Sequence, residues 1–147
     1  MRTSLFMVMS VSAALFAAPA LAKDIIGYVK SVDGTASLKS AEASVDAAVG
    51  NPVHLNDIIL TGKDGAVGVT FKDDTRISIG PETEFTVDAF VYRPRKKQLS
   101  FVSRLSRGTL QFVSGTIAKL QPEKVAIKTP AGTIGVRGTR FLVRAED

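Results

Sequence analysis

The chain has a single histidine, His54, with Asn51 before it and Asp57 three residues on. A metal site or a catalytic triad built on one histidine needs remote Ser, Asp or Glu partners, and no motif announces them. His54 therefore reads as a capped loop residue. Asp33, Asp64, Asp73 and Asp74 fall among turn residues. The Gly-rich nonapeptide spacing of calcium rolls is missing, and short side-chain bonds to the turn backbone account for these carboxylates. Glu82 and Glu84 would share one side of an extended strand, but the flanking turn chemistry gives no pocket for glycosidic chemistry. There is no cysteine, which removes disulfides, a lipid-modified cysteine and thiolate nucleophiles. The expectation is a non-enzymatic protein with no catalytic residue, no metal and no cofactor.

The residue types that remain are suited to recognition. Tyr92-Arg93-Pro94-Arg95-Lys96-Lys97 is the most charged segment of the chain. Four cations near one another favour an anionic partner in a salt-sensitive way. The competing reading is a solvated hairpin loop. A base-stacking role is not expected, because no aromatic platform accompanies Tyr92.

Period-two alternation marks the elements that would carry these residues. It runs through Val67, Val69 and Phe71; Ile77 and Ile79; Phe85 and Val87; and Leu99, Phe101 and Leu105. Leu110 and Phe112, Val125 and Ile127, Ile134 and Val136, and Phe141 and Val143 continue it. Turn residues separate the runs at Asp33-Gly34, Gly50-Asn51-Pro52, Asp64-Gly65, Asp73-Asp74, Gly80-Pro81, Arg107-Gly108, Gly115, Thr129-Pro130 and Gly138, so the strands should be short. Residues 40–49 are the one alanine-rich stretch with helical potential. They lack an apolar stripe and read as a loop or a frayed turn. Gly-Thr recurs at Gly34-Thr35, Gly108-Thr109, Gly132-Thr133 and Gly138-Thr139, each like a corner followed by a strand. The fold class is all-β. A sandwich, a roll and a β-solenoid all remain compatible with the periodicity.

The amino terminus reads as a cleavable export signal: Arg2, an apolar run over residues 5–18, then Pro19-Ala20-Leu21-Ala22 before Lys23. The run is shorter than the roughly 20 apolar residues that span a bilayer. Ala20 and Ala22 place the cut after Ala22. Residues 1–22 are then the leader and 23–147 one all-β domain, periplasmic in a Gram-negative bacterium and not stably inserted in a membrane. The full chain carries a formal charge of +5, and loss of Arg2 leaves it still mildly basic.

The segment TPAGTIGVRGTRF resembles the hallmark of the FecR domain family: a Thr-Pro, a small pair, Ile-Gly-Val, then Arg-Gly-Thr. Here these are Thr129, Pro130, Gly132, Ile134, Gly135, Val136, Arg137, Gly138 and Thr139. The likeness extends upstream through GTLQFVSGTIAKLQPEKVAIKTP, TEFTVDAFVY and VGNPVHLNDIILTGKDGAVGVTFKDDTRISIGPET. It implies a periplasmic module shaped as a flattened right-handed β-solenoid or a sandwich-like roll. Its best-known members resemble regulators of iron uptake that carry an anti-sigma segment and a transmembrane helix. This sequence is expected to lack both.

The resemblance implies a binding or scaffolding module that recognises envelope components. The alternative is a sensor that relays a signal from an outer-membrane receptor to a separate membrane regulator. The partner would be an envelope protein or an anionic surface component, not nucleic acid. Candidate contacts are Tyr92, Arg93, Arg95, Lys96, Lys97, Arg137, Arg140 and Arg144. Arg137 is read either as a corner brace over backbone carbonyls or as a grip on a partner's carboxylate. Residues 139–144 are expected to form a strand edge open to another protein or to a second copy. The leader makes one direct prediction: mass spectrometry of the exported protein should find Lys23 first, and a retained Met1 would refute cleavage.

Overall fold

The computed structural model describes residues 24–146; the expected leader and its cleavage point lie outside them. Twelve strands form one hydrogen-bonded sheet: β1 (Ile25–Asp33), β2 (Ala36–Lys39), β3 (Ser44–Asp46), β4 (Pro52–His54), β5 (Ile58–Thr61), β6 (Ala66–Phe71), β7 (Arg76–Ile79), β8 (Glu84–Arg93), β9 (Gln98–Val113), β10 (Val125–Thr129), β11 (Gly132–Gly135) and β12 (Arg140–Ala145). The fold is all-β, and among the described residues it carries one short α-helix, α1 (Thr116–Leu120).

The sheet is rolled about β9, whose 16 residues belong to two layers. Residues 98–107 pair with β8 on one side, and within that stretch residues 101–104 pair with β10 on the other. Residues 108–113 pair with β12 on one side, and residues 110–113 with β7 on the other. One layer therefore runs β3-β2-β5-β8-β9-β10-β11, and the other β4-β1-β6-β7-β9-β12. Every pairing is antiparallel except β9 with β10. The pairing is that of a curled sheet, and the parallel stacking that defines solenoid coils is confined to that one pair.

Aromatic contacts fix how far the sheet curls. Phe101 and Phe112 are both on β9, and a straight strand would hold them about 36 Å apart. Their ring centroids are 5.8 Å apart, edge to face. Phe71 on β6 reaches across to Phe101 at 5.0 Å and to Phe90 on β8 at 6.0 Å, and Phe141 on β12 stacks on Phe112 at 5.0 Å. Phe101 and Phe112 are fully buried, as are Ile59, Val69, Ile79, Phe85, Leu105, Leu110 and Ile127. Each such side chain contributes on the order of 2–3 kcal/mol by leaving water.

The fold line is a row of glycine and threonine corners. It comprises Gly34-Thr35 between β1 and β2, residues 62–65 between β5 and β6, residues 80–83 between β7 and β8, and Gly108-Thr109 inside β9. Thr61 Oγ1 donates to the Gly80 carbonyl at 2.7 Å and accepts the Thr83 N–H at 2.9 Å. Thr83 Oγ1 donates to the Pro81 carbonyl at 3.0 Å and accepts the Thr109 N–H at 3.1 Å. Gly62 N–H reaches the Thr35 carbonyl at 2.9 Å. At Gly108 the φ angle is 95°, and a Cβ would fall on the Thr83 hydroxyl and within 2.6 Å of its Cα. Only glycine allows that approach. The four glycines of the Gly-Thr repeat all have positive φ, but only Gly34 and Gly108 belong to this row.

Several expectations are corrected. Arg107-Gly108 does not end a strand; it bends one, so β9 is long. Residues 40–49 contain β3, an exposed edge strand, rather than only a loop or frayed turn. Ile134 is 37% exposed because β11 is an edge strand, whereas Val136 is buried. Helix α1 is stabilised from far along the chain. Asp73 in the β6–β7 turn is fully buried, its Oδ2 accepts the Ile117 N–H at 3.2 Å, and its carbonyl accepts the Thr116 N–H at 2.7 Å. The same carboxylate receives the Thr75 hydroxyl at 2.7 Å and the Thr75 N–H at 3.2 Å.

Gly108→Ala should cost about 2–4 kcal/mol in urea unfolding through backbone strain and the Thr83 clash, and Thr83→Val about 1–3 kcal/mol by stranding the Thr109 N–H. Gly135, with nothing within 4 Å of a built Cβ, is the control, and Gly135→Ala should stay within about 0.5 kcal/mol. Equal effects at all three sites would refute the corner row as the stabilising line.

Candidate functional site

The basic segment forms the tip of the β8–β9 hairpin. Tyr92 pairs with Leu99 and Arg93 with Gln98, closing the ladder. Beyond them Pro94, with φ fixed by its ring, starts a single 3-10 turn over Pro94–Lys96. Lys97 adopts a left-handed φ of 54° and returns its N–H to the Pro94 carbonyl at 3.1 Å. Arg93, Arg95, Lys96 and Lys97 are exposed, and none makes an ion pair or side-chain hydrogen bond among the described residues. Tyr92 is half-buried and packs on the core. Beside the tip, Ile25, Ile26, Phe90, Val91, Tyr92, Arg93 and Lys72 line a groove of about 310 Å³, with Asp24 as its acidic member.

The nine-residue motif is mostly surface. Pro130 lies in the β10–β11 turn and Gly132 opens β11, where its carbonyl accepts the Thr129 hydroxyl at 2.8 Å. Ile134 and Gly135 are exposed on β11, and Gly138 and Thr139 lead into β12, where the Thr139 carbonyl accepts the Ser114 N–H at 2.8 Å. Arg137 is exposed and makes no hydrogen bond or ion pair among the described residues, so it braces no carbonyl there. Arg140 is likewise exposed and unpaired. Arg144 Nε contacts Glu146 Oε1 at 3.0 Å with both side chains about 70% exposed, a pair of little energetic weight.

The geometry groups some of these cations and separates others. Arg140 stands opposite Val113 on β9, whose other neighbour is Arg76 on β7. Arg76 follows the β6–β7 turn that begins at Lys72, and Lys72 lines the groove beside Tyr92 and Arg93. The hairpin tip and the Arg140 end of β12 therefore both lie away from the corner row. Arg144 lies at the corner row instead, opposite Thr109. There it joins Lys63, Arg107, Glu82 and Glu146 around a groove of about 680 Å³. Sequence reasoning missed Lys63 and Arg107 because each adjoins a corner glycine and reads only as part of a turn.

The residues first weighed for chemistry fall at strand ends and in turns. His54 ends β4, and Asp57 Oδ2 accepts its backbone N–H at 2.9 Å and lies 3.3 Å from its Nδ1. Glu82 sits in a corner at φ 50°, outside β8, so strand alternation does not pair it with Glu84. Among the described residues no group of three or more His, Asp and Glu side chains is placed to hold a metal ion, and no helix is long and apolar enough to cross a membrane.

Comparison with known proteins gives one family and one solved structure. The structure, titled "Cell surface anchoring domain", is 27% identical over 42% of this chain and 82% of its own, with a TM-score of 0.40. No curated protein matches. The family described as FecR protein matches residues 57–147, a span that runs from Asp57, just before β5, through the β9 bend and the motif. On that match the chain belongs to the FecR family.

Proposed function

We propose that this protein is a non-enzymatic binding or scaffolding module of the bacterial periplasm, and that it holds an envelope protein or an anionic surface component against its basic hairpin tip. The observation that carries the reading is the tip itself. Arg93, Arg95, Lys96 and Lys97 project from a hydrogen-bonded turn with no acidic partner among the described residues. A structural ion pair is absent there, so the cations remain available. The turn fixes where they stand before any partner arrives, which lowers the ordering cost of binding. Family membership agrees with an envelope location, and the export signal read from residues 1–22 supplies the route. Arg137, exposed and unpaired, extends the same cationic character toward β12.

Envelope extract passed over the immobilised protein tests this. Retained partners should elute as salt rises from 50 to 500 mM, because exposed charges are screened over about a Debye length. The triple variant Arg95→Glu, Lys96→Glu, Lys97→Glu should retain at least tenfold less of them while its unfolding midpoint is unchanged. Arg137→Ala should shift stability by no more than about 0.5 kcal/mol. A large thermal loss at Arg137 would restore the bracing role, and salt-insensitive retention by the triple variant would refute the tip as a site.

A further inference from the structure

Strand β12 is bonded on one side only: it pairs with β9 and with no other strand among the described residues. The Ser114 N–H bond to the Thr139 carbonyl fixes the alternation of the ladder. In that register Phe141, Val143 and Ala145 exchange bonds with β9, and the peptide groups of Arg140, Leu142 and Arg144 point to the open side. The same three residues expose their side chains on the outer face, and Leu142 is 71% exposed, the most exposed large apolar side chain described. Val113, Gln111 and Thr109 stand beside them on β9, and Arg76 and Ser78 lie beyond on β7. None of those neighbours is acidic; the one acidic contact among the described residues is Glu146, whose exposed pair with Arg144 carries little energetic weight.

Resting on the binding-module reading above, the geometry points to this edge as the docking site for an extended acidic segment of a partner protein, added as a further strand. Charge complementarity selects the occupant. An incoming antiparallel strand with acidic residues at positions one and five and an apolar residue at position three sets opposite charges across from Arg140 and Arg144, and an apolar side chain across from Leu142. Directly opposed pairs of that kind each favour the added strand. A second copy of β12 paired about Leu142 would instead place Arg140 against Arg144 twice, which is unfavourable for the same reason. Charges on an edge strand normally discourage pairing with arbitrary strands. Here both edge arginines have one sign, so the edge discriminates by charge as well as by backbone pairing.

The probe is the capped peptide Thr-Glu-Thr-Val-Thr-Glu-Thr, with a Lys-for-Glu version as its counterpart, titrated against the full protein. The Glu peptide should bind at least tenfold tighter than the Lys peptide and should slow amide exchange at Arg140, Leu142 and Arg144. N-methylation of its two Glu and its Val, which removes the inward donors, should abolish binding, and N-methylation of the Thr residues should not. The double variant Arg140→Glu, Arg144→Glu, checked for an unchanged unfolding midpoint, should invert the preference. Equal binding of both peptides, insensitivity to N-methylation, or no binding with freely exchanging amides would overturn the proposal. So would a sedimenting dimer with those three amides protected, which would assign the edge to a second copy. These readouts do not involve residues 95–97, so failure of the edge and failure of the hairpin tip are told apart.

Discussion

At Gly108 the backbone of β9 passes so close to Thr83 that no side chain fits between them, and that approach lets one strand belong to both layers of the roll. Without the bend, Phe101 and Phe112 would lie on a straight strand and could not meet. The chain of rings from Phe90 through Phe71, Phe101 and Phe112 to Phe141 would then break into separate surfaces. The corner is polar and the core is apolar, but they are one device. Threonine hydroxyls satisfy the peptide groups that the bend takes out of the ladder, at Thr61 with Gly80 and at Thr83 with Thr109. The layers can therefore close on the phenylalanines while the peptide groups at these corners stay paired.

A second anchor works at the opposite end of the roll. Asp73 is buried, yet its oxygens receive the Thr75 hydroxyl, the Thr75 N–H and the Ile117 N–H. One turn of the β6–β7 hairpin thereby supplies the cap that α1 cannot make from its own residues, since its N-cap is Gly115 and makes no side-chain bond. Gly115 has to be small for that contact, because a Cβ there would run into Thr75 N and the Asp73 carbonyl. A five-residue helix has little stability of its own. Its presence after β9 follows from this long-range bond, and it carries Ile117 into the core.

The parts of this architecture that depend on local pattern were legible in the sequence. Val67, Val69 and Phe71, and likewise Leu110 and Phe112, alternate as written and are buried as written. The Asp73-Asp74 and Gly80-Pro81 turns fall where turn chemistry puts them. What failed to show was non-local. Arg107-Gly108 has the composition of a strand-ending turn, and whether it ends or bends a strand is decided by Thr83 on another strand. α1 was invisible because its cap comes from Asp73. Ile134 follows the alternation of a buried strand but lies at a sheet edge, a placement that pairing decides and periodicity does not. For the candidate surfaces, the cations themselves were readable by type. The lack of partners at all of them but Arg144, and the remoteness of Arg144 from the others, were not.

The separation of these roles bears on how the surface can vary. The corner row, the aromatic chain and Asp73 hold the roll through contacts in which none of Arg93, Arg95, Lys96, Lys97, Arg137 or Arg140 takes part. Their charges therefore place little demand on folding, and exposed unpaired cations add little to stability. The opposite holds for the backbone beneath them. Lys97 is held at a left-handed φ by its bond to Pro94, and Arg140 is held in register by the β12–β9 ladder. The scaffold thus fixes the positions of side chains on which it does not rely, which is the arrangement a recognition surface requires: rigid placement with freedom to change the chemistry presented.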